Sequence, residues 1–116
     1  MDELALPNVD DAVIPEEKLR DYALSPNHAT GRHKARVFAS ALGIAREDWT
    51  YLRDEVASKL PNASVSAVRE SAYGFLYEVP MLVEGLNGAT EEVITAWFVQ
   101  GPMGAPRLVS AYVNRP

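Results

Sequence analysis

The chain has no cysteine, only two histidines among its 116 residues, and no apolar run that approaches the length of a bilayer. Each shortage removes a class of function. Without cysteine there is no disulfide, no thiolate metal site and no cysteine nucleophile. Two histidines argue against a multi-histidine metal site, and neither a metal nor a cofactor is expected. A membrane span needs about 18 or more consecutive apolar residues, so no membrane association is expected. The opening MDELALPNVDDAV is acidic and holds a proline, the reverse of the basic start and apolar stretch of a secretory signal. These features predict a cytoplasmic protein, or a module of a larger one.

Acid is missing as well, but only locally. The formal net charge is −5, which at first argues against nucleic acid. Residues 1–21 hold seven acids against two bases, whereas residues 22–116 hold nine of each. From Tyr22 to Arg46 there is no acid at all, and His28, Arg32, His33, Lys34, Arg36 and Arg46 fall in that stretch. Local clustering of this kind makes an anion site whatever the global sum.

The length suits one domain, and 47% apolar with 23% charged residues is ordinary for a globular chain. Residues 1–13 read as an acidic leader with a short strand near Ala12–Ile14, and residues 14–116 as a single α+β domain. Pro15 followed by Glu16 and Glu17 opens a first helix that stops near Leu24. Thr30 serves as N-cap of a second helix over about 31–42, closed by Gly43. Trp49, Leu52, Val56 and Leu60 set a third over about 47–60. From residue 63 the period changes, with strands at about 63–71, 74–84, 91–100 and 106–113. Asn87-Gly88 marks a hairpin. Short connections imply a four-stranded antiparallel meander with the N-terminal helices packed on one face. Ile94, Ala96, Phe98, Val109, Ala111 and Val113 are expected on the helix-packed side. Thr95, Trp97, Ser110 and Tyr112 are expected on the open side.

Gly31–Arg36, GRHKAR, is the cluster with the most chemistry. On a helix His33 and Lys34 lie one turn before Val37 and Phe38, at the rim of the buried face. The first-turn N–H groups, Arg32 and Lys34 could hold a phosphate together. His33 is then placed for proton transfer near neutral pH, with His28 as a second such group. The alternative is a solvated helix start whose cations pair with Asp10 and Asp11. Hydroxyls at Thr95, Ser110 and Tyr112 beside Trp97 could stack a base and hold a phosphate, or represent ordinary cross-strand packing. Glu70, Glu78 and Glu84 are not expected to form a carboxylate pair.

The segments IPEEKLRDYALSPNH, GRHKARVFASALG, TAWFV and PRLVSAYV resemble a small family of uncharacterised bacterial domains. The order of helices before a sheet that ends in a V-[ST]-A-Y strand is similar to the toxin ribonucleases of the barnase/EndoU/colicin/RelE group. That resemblance implies metal-independent cleavage of RNA phosphodiesters, in which the 2′-hydroxyl attacks its own phosphate. It implies His33 and Lys34 as a helix-borne catalytic pair, Arg32 and Arg36 as phosphate contacts, and Ser110 with Tyr112 as last-strand contributions. It also implies a cognate antitoxin or immunity protein as partner. Two other readings stay open: a non-catalytic interaction module, and a small-molecule enzyme with a closed apolar pocket between helices and sheet.

Overall fold

The computed structural model describes residues 5–27, 32–101 and 103–115. Three helical segments precede four strands, an α+β fold as the sequence predicts. Helix α1 (Glu16–Lys18) widens into a π-type turn, Leu19–Ala23, and α2 (Arg32–Val37) widens likewise over Phe38–Leu42. Pro15 is the N-cap residue of α1, with extended ψ, one position earlier than the sequence suggested. Gly43 closes the second segment at φ 67°, the left-handed conformation that glycine adopts without Cβ strain. Helix α3 (Trp49–Lys59) follows a tight turn in which the Asp48 carboxylate accepts from the Ala45 N–H at 3.0 Å. The N-cap expected at Thr30 lies outside the described residues.

Strands β1 (Ala67–Ser71), β2 (Gly74–Glu84), β3 (Thr90–Val99) and β4 (Arg107–Val113) form one antiparallel sheet in the order β1-β2-β3-β4. Pro80 is tolerated in β2 because β1 begins only opposite Glu78, so the side of β2 that lacks a proline N–H has no strand to bond. Farther along that side, the Glu84 N–H donates to Glu55 Oε1 at 3.1 Å, and the Tyr51 hydroxyl donates to the Glu84 carbonyl at 2.5 Å. Helix α3 thereby covers part of the strand edge.

The segment before α1 is also tied down. Leu6 joins the core, and Val13 makes a parallel bridge to Arg107 through N–H to Pro106 O, 2.8 Å, and Leu108 N–H to Val13 O, 3.0 Å.

The facing of β3 is the reverse of the sequence expectation, with Ile94, Ala96 and Phe98 turned from the helices, whereas in β4 Ala111, Val113, Ser110 and Tyr112 lie as expected and Leu108 does not. Val79, Met81, Val83, Val93, Thr95, Trp97, Val99, Leu108, Ala111 and Val113 point at the helices, and Thr95 and Trp97 are 0% exposed. A bulge falls at Val109: Ala96 pairs with Ser110 and Trp97 with Leu108, so one residue of β4 is skipped. Leu108 thus shares a face with Ala111, which strict alternation forbids. The polar atoms that made Thr95 and Trp97 look solvent-facing satisfy one another. The Trp97 indole N–H donates to Thr95 Oγ1 at 2.8 Å, and the Thr95 hydroxyl donates to the Val79 carbonyl at 2.7 Å. A large indole can then be buried at full hydrophobic gain with no orphan donor.

Two expected outcomes follow. Thr95→Val keeps the shape but strands the indole N–H, and should cost about 1–3 kcal/mol, read as a lower urea midpoint at unchanged m-value; an unaltered midpoint contradicts the assigned role. Asp21 ties the end of the first helical segment to Arg46 at 2.8 Å while also bonding Arg20, and these guanidinium hydrogen bonds hold its carboxyl down from 3.8 to about 2. A depressed carboxylate stabilises the fold above its unfolded pKa, and that contribution disappears as pH falls through the folded one. Thermal midpoints of the wild type and Asp21→Asn should therefore differ at neutral pH and converge through the acid range that ends near 2.

Candidate functional site

The candidate site is built where α2 meets β4, the strand at one end of the sheet order. Phe38 and Leu42 anchor the second helical segment in the core. One turn before Phe38, this places Lys34 at the margin of the buried face. Its ammonium donates to Ser110 Oγ at 3.3 Å and lies 5.0 Å from the centroid of the Tyr112 ring. The Tyr22 ring, from the first helical segment, stands 5.5 Å away on another side. Aromatic rings at these distances attract an ammonium through their quadrupoles. No carboxylate is paired with Lys34 among the described residues, whereas Arg20, Arg46, Arg53, Lys59, Arg107 and Arg115 each have one.

Ser110 and Tyr112 lie on the face of the sheet away from the helices, in register with Ala96 and Ile94. Lys34 reaches them at the strand that ends the sheet. Across β3, Ala96 pairs in turn with Glu78. Glu78, Ala96 and Ser110 therefore form one row over three strands, with a methyl between a carboxylate and a hydroxyl. Neighbouring strands are about 4.8 Å apart, so the row places the two polar groups on either side of a shallow depression.

The residues picked from the sequence divide into three groups. Lys34, Ser110 and Tyr112 come together. Arg32, His33 and Arg36 are exposed on α2, and none of their side chains bonds another residue among those described; the alternative pairing with Asp10 and Asp11 is not formed. Thr95 and Trp97, expected as an exposed stacking surface, are instead buried beneath the helices for the reason given above, and cannot contact a ligand on the open face. His28 lies outside the described residues. Tyr22 and Glu78 were missed as site residues. Tyr22 reads from the sequence as one more apolar position of the first helix, and the only hint of its role is that the acid-free stretch begins there. Glu78 becomes interesting only through the strand register, which spacing alone does not supply. Among the described residues no three histidine, aspartate or glutamate side chains gather as metal ligands would, and no helix is long and apolar enough to cross a membrane.

Comparison with known proteins adds the following. A chain of the contact-dependent growth inhibition toxin–immunity protein complex from Klebsiella pneumoniae 342 is similar in fold, with a TM-score of 0.65 at 15% sequence identity, over 94% of this chain and 98% of that one. At that identity the likeness is one of fold. No curated protein matches the chain. The model of one family, described as a domain of unknown function, matches residues 5–115. With nearly its whole length so matched, the chain belongs to the DUF6883 family.

Proposed function

We propose that this is a toxin-type domain that cleaves RNA phosphodiesters without a metal, with Lys34 meeting the charged phosphate. The observation that carries the reading is the neutral setting of that ammonium. A lysine neutralised by a carboxylate has little charge left for an anion. Lys34 is held by a hydroxyl and two aromatic rings, so its full charge remains for a phosphate at the sheet edge. Arg32 and Arg36 on the same helix extend the positive field.

In the proposed step the 2′-oxygen attacks the adjacent phosphorus and the P–O5′ bond breaks. The products are a 2′,3′-cyclic phosphate and a free 5′-hydroxyl. The 2′-hydroxyl proton passes to His33 as base, and a proton is delivered to the departing 5′-oxygen, a role that His28 would fill. Lys34 offsets the charge that develops on the non-bridging oxygens, the contribution that preorganised donors make best. Ser110 and Tyr112 orient the phosphate beside it. Such a domain would act in the cytoplasm, where RNA is found, and its producer would need a cognate antitoxin or immunity protein.

The fold likeness to a chain of a toxin–immunity complex supports a place in such a system. It equally supports a second reading, in which the domain is a non-catalytic partner-binding module. Leu82, 63% exposed on the open face, and Val68 on β1 favour that reading, because they offer apolar surface remote from Lys34. A pull-down that recovers one stoichiometric protein, together with no RNA cleavage by the purified domain, would select it.

Incubation of purified domain with total RNA or tRNA tests the first reading. Lys34→Ala should lower cleavage by about 100-fold or more while circular dichroism stays unchanged, and Lys34→Arg should retain part of the activity. Wild-type cleavage by Lys34→Ala would overturn the assignment of this site.

A further inference from the structure

A cleft lies along the side of α2 that faces away from the Lys34 site. Successive helical residues step about 100° around the axis, so Lys34 turns toward β4 while Ala35, Arg36 and Ala39 turn to the other side. There they face the loop Leu24–Asn27 and the turn at Ala45–Glu47, across a cleft of about 580 Å³. Pockets of roughly 300–1,000 Å³ hold small ligands. Its apolar lining comes from Leu24, Pro26, Ala35, Ala39 and Ala45. That is an apolar wall of mostly small side chains, able to take a planar ring. Arg36 and Arg46 stand at its margin. Arg36 has no carboxylate partner among the described residues. Arg46 has one, Asp21 at 2.8 Å, which fixes its guanidinium in place while leaving other N–H groups to donate.

A hydroxyl open to the cleft supplies a second sign of a ligand. Ser25 is only 8% exposed and lines the same cleft. Its hydroxyl has no hydrogen-bond partner among the described residues. Among the described residues no fully buried side-chain oxygen lacks a partner, so the unbonded Ser25 hydroxyl opens onto the cleft beside two guanidinium groups, where an acceptor can reach it. Asn27 and Glu47 complete the polar rim with the side-chain types that bond the exocyclic amines of bases.

We infer that this cleft is a nucleotide subsite, with the base lying on the apolar wall and the phosphate held by Arg36, Arg46 and Ser25. The forked guanidinium matches phosphate geometry. An acidic peptide fits less well, because the cleft has room for one or two side chains and its rim also carries Glu47. The inference rests on the proposed function only for naming RNA as the source of the nucleotide. It then gives that reading a binding surface on the far side of α2 from Lys34, so that one strand is gripped on both flanks of a single helix.

The test uses 5′-AMP as probe, with binding followed by amide chemical shifts and titration calorimetry on the whole chain. The expected result is saturable binding with shifts at Ala35, Ala39 and Ala45, retained in Lys34→Ala. Arg36→Ala should weaken it about tenfold, the loss of one charge-assisted hydrogen-bond set, and Arg36→Lys should recover part. Arg36 is exposed, so its replacement leaves the core intact. Adenosine should bind more weakly than 5′-AMP, and Ala39→Phe, which fills the cleft, should abolish binding. Equal affinity of Arg36→Ala and wild type, shifts at Tyr112 in place of Ala39, or stronger binding of a hexaglutamate peptide than of 5′-AMP would each overturn the inference. Arg36-dependent 5′-AMP binding in a protein that does not cleave RNA would sustain the subsite while removing the ribonuclease reading.

Discussion

The hydroxyl of Thr95 governs which side of the sheet becomes the inside of the molecule. It accepts from the Trp97 indole and donates to the Val79 carbonyl, and so closes a short polar chain between two strands in an otherwise apolar layer. With the chain closed, the largest side chain of the sheet can be buried among Val79, Val93, Leu108 and the helices at no cost in unmet hydrogen bonds. With it open, the same face would carry an orphan donor. Every later feature inherits that choice. Because Thr95 and Trp97 turn inward, Ile94, Ala96 and their partners Tyr112 and Ser110 turn outward, and the candidate site is made from what the core leaves over.

The bulge at Val109 reconciles β4 with this arrangement. A strictly alternating β4 could not put both Leu108 and Ala111 in the core while Ser110 and Tyr112 face outward. The skipped residue brings Leu108 onto the core side. It falls on the strand that Lys34 touches, in keeping with the tendency of bulges to occur at sheet edges and beside functional sites, where they re-aim side chains.

Helix α2 is the shared wall of the two candidate surfaces. Its core contacts through Phe38 and Leu42 fix its rotation, and that rotation sends Lys34 to one side and Arg36 to the other. The Asp21–Arg46 bridge then holds the far wall of the cleft close to the first helical segment. A chain with a net charge of −5 can in this way present a positive strip, because its acids lie elsewhere.

Most of the architecture was legible in the residues. Helical spacing, proline and glycine stops, and the Asn87-Gly88 signal located all three helices and all four strands, since these depend on local periodicity and turn chemistry. The acid-free run from Tyr22 to Arg46 pointed at the helix that carries Lys34. The facing of β3, and of Leu108 in β4, was not legible. A rule that sends small aliphatic residues inward cannot foresee that a threonine and a tryptophan will satisfy each other, and one bulged residue reverses parity for half a strand. The parts played by Tyr22 and Ser25 were equally hidden, because both are defined by neighbours far away in sequence. Composition, charge placement and periodicity thus determined, by themselves, an α+β fold with a cationic second helix, because these are sums over near neighbours. Which cation keeps its charge, and which side chains gather around it, was decided only by tertiary structure, because a buried contact is fixed by register and packing between elements that the chain does not place side by side.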